Sequence, residues 1–354
     1  MHIPSLFTVH NIHTQKTTME HIEDAGIDAA EFWGNLYYDY PPADYFSAHD
    51  TDPIDLQASG IFAAHFINTV SPTFLKEIVD GRIGFIPGYI RNEIANKYYA
   101  GVAEGILNAP DPDDDPSIDP DLDIHYTPET HAEAKRRIKT EFQQKVGLQV
   151  NPDAPLFFWP SRLDPIQKGP QLLSDILYQV IHKYWDQQIQ FAFVADGPYQ
   201  HVFRAISDQH KFHSLVAVLS FDKVLSKHGY AASDFILMPS SYEPCGLPQM
   251  TAPIYGSIPL VHDTGGLHDT VTDLDIHNHT GNGYAFKNFD DEGLFWAIDQ
   301  AMNFWAQPKE VREREISRIM VESKARFNHK QTAQAYINLY ERMLHRKLVE
   351  WSAS

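Results

Sequence analysis

Ser241-Tyr-Glu-Pro-Cys-Gly-Leu-Pro-Gln249, followed by Gly265-Gly-Leu-His-Asp-Thr270, decides the reading of this chain, because it sets one carboxylate, Glu243, beside glycine-containing turns. Just upstream, Ser233-Asp-Phe-Ile-Leu-Met-Pro239 is a continuous apolar run closed by a proline, where a ladder donor is no longer needed, and it predicts a short buried strand. Glu243 then stands past the carboxyl end of that strand. Ligands bind at such places in open α/β sheets, because the loops leave the sheet there and the next helix turns its amino end toward the crevice. Ser257-Ile-Pro-Leu-Val261 followed by Thr264-Gly265-Gly266 repeats the arrangement. Glycines in that turn let backbone N–H groups approach an oxyanion with no Cβ in the way.

Working outward, the same alternation of strand and helix recurs. His131 to Val146 has the charged, Ala-bearing character of an exposed helix, Leu156-Phe-Phe-Trp159 begins a buried strand, and helix Leu172 to Trp185, strand Ile189 to Val194 and turn Ala195-Asp-Gly-Pro198 follow. This spacing predicts a doubly wound parallel sheet. Between residues 105 and 125 the chain divides, and Asp111-Pro-Asp-Asp-Asp-Pro-Ser-Ile-Asp-Pro-Asp-Leu-Asp123 reads as a solvated connector, too polar and proline-rich for a buried element. Its carboxylates alternate as in a calcium loop, but Pro116 stands where that loop needs Gly and no Glu closes it.

With 354 residues and 43% hydrophobic content the chain has material for two domains. No apolar run reaches the about 18 residues of a membrane span, so no membrane partner is expected. The single cysteine, Cys245, permits no intrachain disulfide and suits a reducing, cytoplasmic setting. A formal net charge of -19, with 28 Lys and Arg in no dense cluster, argues against nucleic acid and leaves a neutral polymer as an acceptable partner. The 19 histidines, including His277-Asn-His279, lack partners at metal spacing, so no metal is expected.

At five places the chain resembles the bacterial glycogen synthase and plant starch synthase family. Glu243-Pro-Cys-Gly-Leu-Pro-Gln249 and Thr264-Gly-Gly-Leu-His-Asp-Thr-Val271 are similar to its donor-site motifs, and Ser161-Arg162-Leu163-Asp-Pro-Ile-Gln167-Lys168-Gly169 to its Ser-Arg-Leu…Gln-Lys-Gly. Thr8-Val9-His10-Asn11-Ile12 and Gly105-Ile-Leu-Asn108-Ala-Pro-Asp111 are the other two, in the family's order along the chain. The resemblance implies two facing Rossmann-like domains of the glycosyltransferase B type. The implied boundaries are 1–107 for an acceptor-side domain, 108–330 for a nucleotide-sugar donor domain, and 331–354 for a terminal helix crossing back to the first. Within that helix, Ala333, Tyr336, Ile337 and Tyr340 fall at helical spacing and predict one apolar face.

The implied activity is transfer of glucose, with retention, from ADP-glucose or UDP-glucose to the non-reducing end of an α-1,4-glucan. No cofactor is implied. By resemblance Glu243 accepts hydrogen bonds from donor glucose hydroxyls, Arg162 and Lys168 hold the diphosphate, and His10 lies by the reacting sugar. Fixed cations suit that role because the leaving diphosphate gains charge as the glycosidic bond breaks. Asn108, Phe221, Cys245, Gly246, Leu247, Thr264, Gly265 and Gly266 complete the implied donor pocket. Each residue type has a plainer use as well: a turn carboxylate, exposed cations, a packed histidine, a small buried thiol, a core aromatic.

The chain also departs from the family pattern. Pro248 replaces a Thr, Ala109 a Gly, and one extra residue separates Arg162 from Lys168. Family members carry a Lys-x-Gly-Gly loop and several strand-helix units before the Val-His-Asn strand, so the first domain is expected to be incomplete and Met1 to Val9 to form a strand short of neighbours. Three rival readings follow: a non-catalytic remnant that binds nucleotide sugar or glucan, one chain of a split synthase whose partner is a separate amino-terminal chain, or a retaining transferase acting on sucrose or a lipid.

Overall fold

The computed structural model describes residues 3–348. The chain divides into two compact units, one of residues up to Leu107 together with those from Gln334, the other of Asn108–Ala333. Among the described residues, no helix is long and apolar enough to cross a membrane.

In the first unit, β1 (Leu6–Val9), β4 (Phe66–Thr69) and β5 (Ala103–Gly105) form a parallel sheet in the order β1-β4-β5, while β2 (Lys16–Thr17) and β3 (Ile54–Asp55) make a small antiparallel pair. Among the described residues β1 therefore has a ladder partner on one side, with Leu6 opposite Phe66 and Val9 opposite Thr69. His10 follows β1 directly and is exposed.

The second unit is built on six parallel strands: β6 (Leu156–Trp159), β7 (Gln190–Val194), β8 (Val216–Leu219), β9 (Phe235–Met238), β10 (Ile258–His262) and β11 (Tyr284–Phe286), in the order β11-β10-β9-β6-β7-β8. β6, β7, β9 and β10 are buried along their whole length because helices cover both faces. Side chains alternate as the pleat demands. Phe157, Trp159, Phe191, Phe193, Phe235 and Leu237 pack into one core with residues of helices Pro170–Lys183 and Asp291–Trp305. Leu156, Phe158, Ala192, Val194, Ile236 and Met238 pack into another with residues of helices His131–Val146, Lys223–Ala232 and Pro248–Ile254.

The acidic segment is not the solvated connector its composition suggests. It holds no regular helix or strand, yet Asp119 is 1% exposed and Asp115 8%, with Leu122 and Tyr126 buried beside them. Asp111, Asp113 and Asp123 are exposed, but Asp115 and Asp119 are buried because they are paired: Lys227 reaches Asp114 and Asp119, Lys324 reaches Asp115, and Tyr255 donates its hydroxyl to Asp119. The cations that neutralise it come from distant helices, which composition cannot reveal.

The last helix, His329–Leu344, also buries a different stripe from the expected one. Ala333 and Tyr340 are exposed, whereas Leu339 and Met343, with Ala335 and Tyr336, pack on Leu6, Phe66 and Ile106. The stripe 335, 336, 339, 343 has the same helical spacing and carries two aliphatic side chains where the expected one carried tyrosine. Tyr336 belongs to both, and its hydroxyl accepts from Asn68 Nδ2 at 3.0 Å. Leu339→Ala is accordingly expected to cost about 2–5 kcal/mol in urea unfolding of the first unit, and Tyr340→Ala to stay within about 0.5 kcal/mol. The reverse ranking would show that the face is misassigned.

Candidate functional site

Three loops leave the carboxyl ends of β6, β9 and β10 and meet around Glu243. Past the end of β9, Ser240 Oγ donates to Glu243 Oε2 at 3.0 Å, and Lys168 Nζ donates to the same oxygen at 2.6 Å. The Lys168 and Glu243 side chains are only 13% and 6% exposed. A pair this enclosed holds its geometry, since removing one partner of a buried ion pair leaves an uncompensated charge at a cost of about 3–5 kcal/mol.

Local backbone demands bring Lys168 there. Gly169 has φ +70°, and a Cβ on it would stand 2.1 Å from Pro239 O, so glycine alone lets the loop after β6 lie against the end of β9. Ser241 stitches the same two loops, its N–H donating to Gln167 O at 2.8 Å and its hydroxyl to Ile166 O at 2.9 Å.

The loop after β10 approaches from the other side. Gly265 has φ +48°, and a Cβ on it would stand 1.9 Å from Glu243 O. Gly266 N–H donates to Glu243 O at 2.9 Å. This corrects the expectation drawn from the glycine turn: the Gly266 donor serves the protein's own carbonyl, and the glycine pair brings two main chains together. Gln249, fully buried, ties the loops by donating from Nε2 to Cys245 O at 2.9 Å, Gly246 O at 3.0 Å and Thr270 Oγ1 at 3.1 Å. His262 at the end of β10 donates from Nδ1 to Ser240 O at 2.7 Å, which makes a relay of contacts from His262 through Ser240 to Glu243.

Ser240, Gln249 and His262 are positioning residues that the sequence reading did not single out. Ser240 and His262 sit at strand ends where ligands gather, and Gln249 closes the quoted motif, so position was the available signal.

The other expected residues are placed as follows. Cys245 is buried, and burial pushes its thiol up to about 12 against the opposing pull of the Asn108 backbone, with the charge of Glu243 adding to the rise. It remains a protonated thiol near neutral pH and is no nucleophile. Asn108 thus lies beside Cys245. Leu247 is 43% exposed and caps the helix Pro248–Ile254, whose first position takes Pro248, a place where no backbone donor is required. Thr264 is buried and precedes the short helix Gly265–Thr270. Arg162 is exposed, its guanidinium 4.0 Å from the Asp164 carboxylate, and the structure does not join it to the Lys168–Glu243 pair. Its charge is nonetheless felt at the buried Tyr242, where burial first, and then Asp164 and Glu243, raise the phenol against the pull of Arg162. Phe221 is 59% exposed after β8, its N–H on Asp196 Oδ1 at 3.1 Å, which excludes a core role. His10 belongs to the first unit.

Comparison with known proteins follows the same lines. Residues 140–318 match the family described as glycosyl transferases group 1, and residues 1–89 match the starch synthase catalytic domain. The chain is 34% identical to a glycogen synthase of Bacillus licheniformis over 322 residues, covering 87% of this chain and 60% of that one. It is 32% identical to a glycogen synthase of Acholeplasma laidlawii over 352 residues, 98% of this chain and 68% of that one. It thus spans roughly three fifths to two thirds of these relatives' length. Among solved structures it is similar to the catalytic domain of Starch Synthase IV from Arabidopsis thaliana bound to ADP and acarbose, with a TM-score of 0.77 and 29% identity over 96% of this chain and 67% of that one. The fold is that of the GT-B glycosyltransferases, mixed α/β with parallel sheets.

A methyl group at Gly265 tests the loop packing. Gly265→Ala must move either the Glu243 carbonyl or its own left-handed backbone, and a loss of about 1–3 kcal/mol is expected in urea unfolding of the second unit. An unchanged midpoint would show that the two loops are not in that contact.

Proposed function

The chain belongs to the glycogen and starch synthase family of glycosyl transferases, and from that premise we propose that it takes part in retaining transfer of glucose from ADP-glucose or UDP-glucose to the non-reducing 4-hydroxyl of an α-1,4-glucan in the cytoplasm. The observation that carries the proposal is the buried Lys168–Glu243 pair at the carboxyl ends of β6 and β9. Glucosyl transfer needs two groups side by side: an acceptor for sugar hydroxyls, and a cation for the departing diphosphate. Glu243 and Lys168 are those groups in direct contact.

In the proposed mechanism Lys168 spends one of its three N–H donors on Glu243 and turns the remaining two to phosphate oxygens. Charge grows on those oxygens as the bond to the anomeric carbon breaks, so a fixed ammonium stabilises the transition state more than the ground state. Arg162, exposed at the rim, adds a second cation to the diphosphate. Glu243, oriented by Ser240 and Lys168, accepts from glucose hydroxyls and its charge opposes the positive charge developing at the anomeric carbon. Cys245, protonated and buried, forms no covalent intermediate. The same-face route follows: the leaving phosphate oxygen takes the proton of the attacking 4-hydroxyl while the new glycosidic bond forms. Asn108, Gly246, Leu247, Thr264, Gly265 and Gly266 shape the donor pocket, Phe221 presents a ring to the base, and His10 contacts sugar.

Glu243→Gln is expected to lower glucose transfer by about 10²–10³-fold, while nucleoside diphosphate affinity, read by calorimetry, stays nearly constant. Lys168→Met and Arg162→Ala are each expected to weaken that affinity by about 1.5–3 kcal/mol. Unchanged affinity in both cation variants would overturn the phosphate assignment, and binding of the labelled donor without any turnover on glucan would favour a non-catalytic binder instead.

A further inference from the structure

The second unit carries an exposed cluster of rings at the edge of its sheet, where helix Gln200–His210 packs on the edge strand β8 and on helix Pro170–Lys183. The latter helix starts beside Lys168, and Tyr178 lies eight residues past Pro170, about 12 Å along the axis. Tyr178 and His182 are one turn apart on one face, and Trp185 continues the line in the short turn Trp185–Gln187. Gln209 and His210 come from the end of the neighbouring helix. Lys211, left-handed at φ +58°, ends that helix, and the Phe212 N–H donates back to Ser207 O at 2.9 Å. That turn fixes Phe212, 3% exposed, as a floor.

Five rings meet there. The Tyr178 ring lies 4.5 Å from His182 and 4.4 Å from His210, and the Trp185 ring lies 6.3 Å from His182 and 6.4 Å from Phe212. Neighbouring planes differ by 25° to 50°, so the rings make a curved surface and not a flat one. The recess they border measures about 550 Å³, within the range of about 300–1,000 Å³ found for small-molecule sites. Tyr178 is 42% exposed and Trp185 53%, so both rings meet whatever enters. Clustered apolar surface of this kind marks an interaction site.

The edges of the rings are polar and uncommitted. The Tyr178 hydroxyl, the Trp185 Nε1–H and the Gln209 amide have no partner among the described residues. The lining holds one cation, Lys211, and no carboxylate among those residues. An anion would meet a single exposed lysine in a chain of formal net charge -19, and a second copy of the chain would bring that same charge against it. A neutral ligand carries neither penalty. It must offer apolar faces rimmed by hydroxyls, and a pyranose does, since its axial C–H groups lie on an aromatic face while its hydroxyls reach the polar edges. Curvature selects among sugar polymers. Each α-1,4 linkage turns one glucose against the next, which suits rings set at angles to one another, whereas a β-1,4 chain is flat and needs coplanar rings.

We propose that this surface is a second carbohydrate site, which holds the body of an α-1,4-glucan away from Glu243, with Tyr178 and Trp185 stacked on glucose units and Gln209 bonded to their hydroxyls. For the identity of the polymer it rests on the glucan reading of the proposed function. Holding the polymer raises the local concentration of its chain ends. The test combines affinity electrophoresis of the whole chain in gels containing glycogen, calorimetry with maltoheptaose and cellohexaose, and turnover on maltotriose. Retardation by glycogen and binding of maltoheptaose but not cellohexaose are expected. Trp185→Leu and Tyr178→Leu, which keep an apolar side chain and remove the flat ring, should each weaken glycogen retention about fivefold to tenfold. Both should leave turnover on maltotriose unchanged. Glycogen retention unaltered in both variants, or equal binding of cellohexaose, would overturn the assignment. A dimer in sedimentation that Trp185→Leu dissolves would put a second copy on the surface and overturn it too. A parent chain without turnover that still loses glycogen retention in both variants would strike the transfer reading and support this site.

Discussion

Everything at the candidate site depends on one enclosed contact, the ion pair between Lys168 and Glu243. A carboxylate 6% exposed and an ammonium 13% exposed do not persist singly in such a place, so each fixes the other. The fold supplies the two loops by setting β6 and β9 side by side in a parallel sheet, with Phe157 opposite Phe235. Glycines then remove the Cβ atoms that would hold the loops apart, at Gly169 against Pro239 and at Gly265 against Glu243. The proposed chemistry follows from that contact, because the group that meets the sugar and the group that meets the diphosphate touch each other.

Much of this was legible in the sequence because it rests on local rules. Leu156-Phe-Phe-Trp159 is a buried strand as expected, and His131–Val146 is a helix with the expected limits, ended by Gly147 in the left-handed conformation, although it is not the exposed helix its charges suggest, since Ala134, Ile138 and Phe142 are buried. Glu243 lies past a buried strand, as the proline-closed run before it required. What was not legible depends on partners far away in the chain. The acidic stretch looked solvated because Lys227, Lys324 and Tyr255 are more than 100 residues downstream of the carboxylates they pair with. The glycine turn pointed to an oxyanion, yet the Gly266 N–H meets Glu243 O, a contact that only the parallel neighbours β9 and β10 create. The last helix offered two stripes of equal periodicity, and packing on Ile106 and Phe66 chose between them.

The sheet of the second unit thus presents different chemistry at its two ends. At the carboxyl ends of the strands a matched pair, one cation and one anion, waits on loops tuned by glycine. At the amino ends Lys135 gives its donors to main-chain carbonyls and Arg312 lies over an indole ring.

The most direct test of the central claim is a crystal structure of the chain with a nucleoside diphosphate glucose. The account predicts glucose hydroxyls within about 3.2 Å of the Glu243 carboxylate and the diphosphate on Lys168, with the Lys168–Glu243 contact retained. A sugar nucleotide bound away from both residues would contradict it.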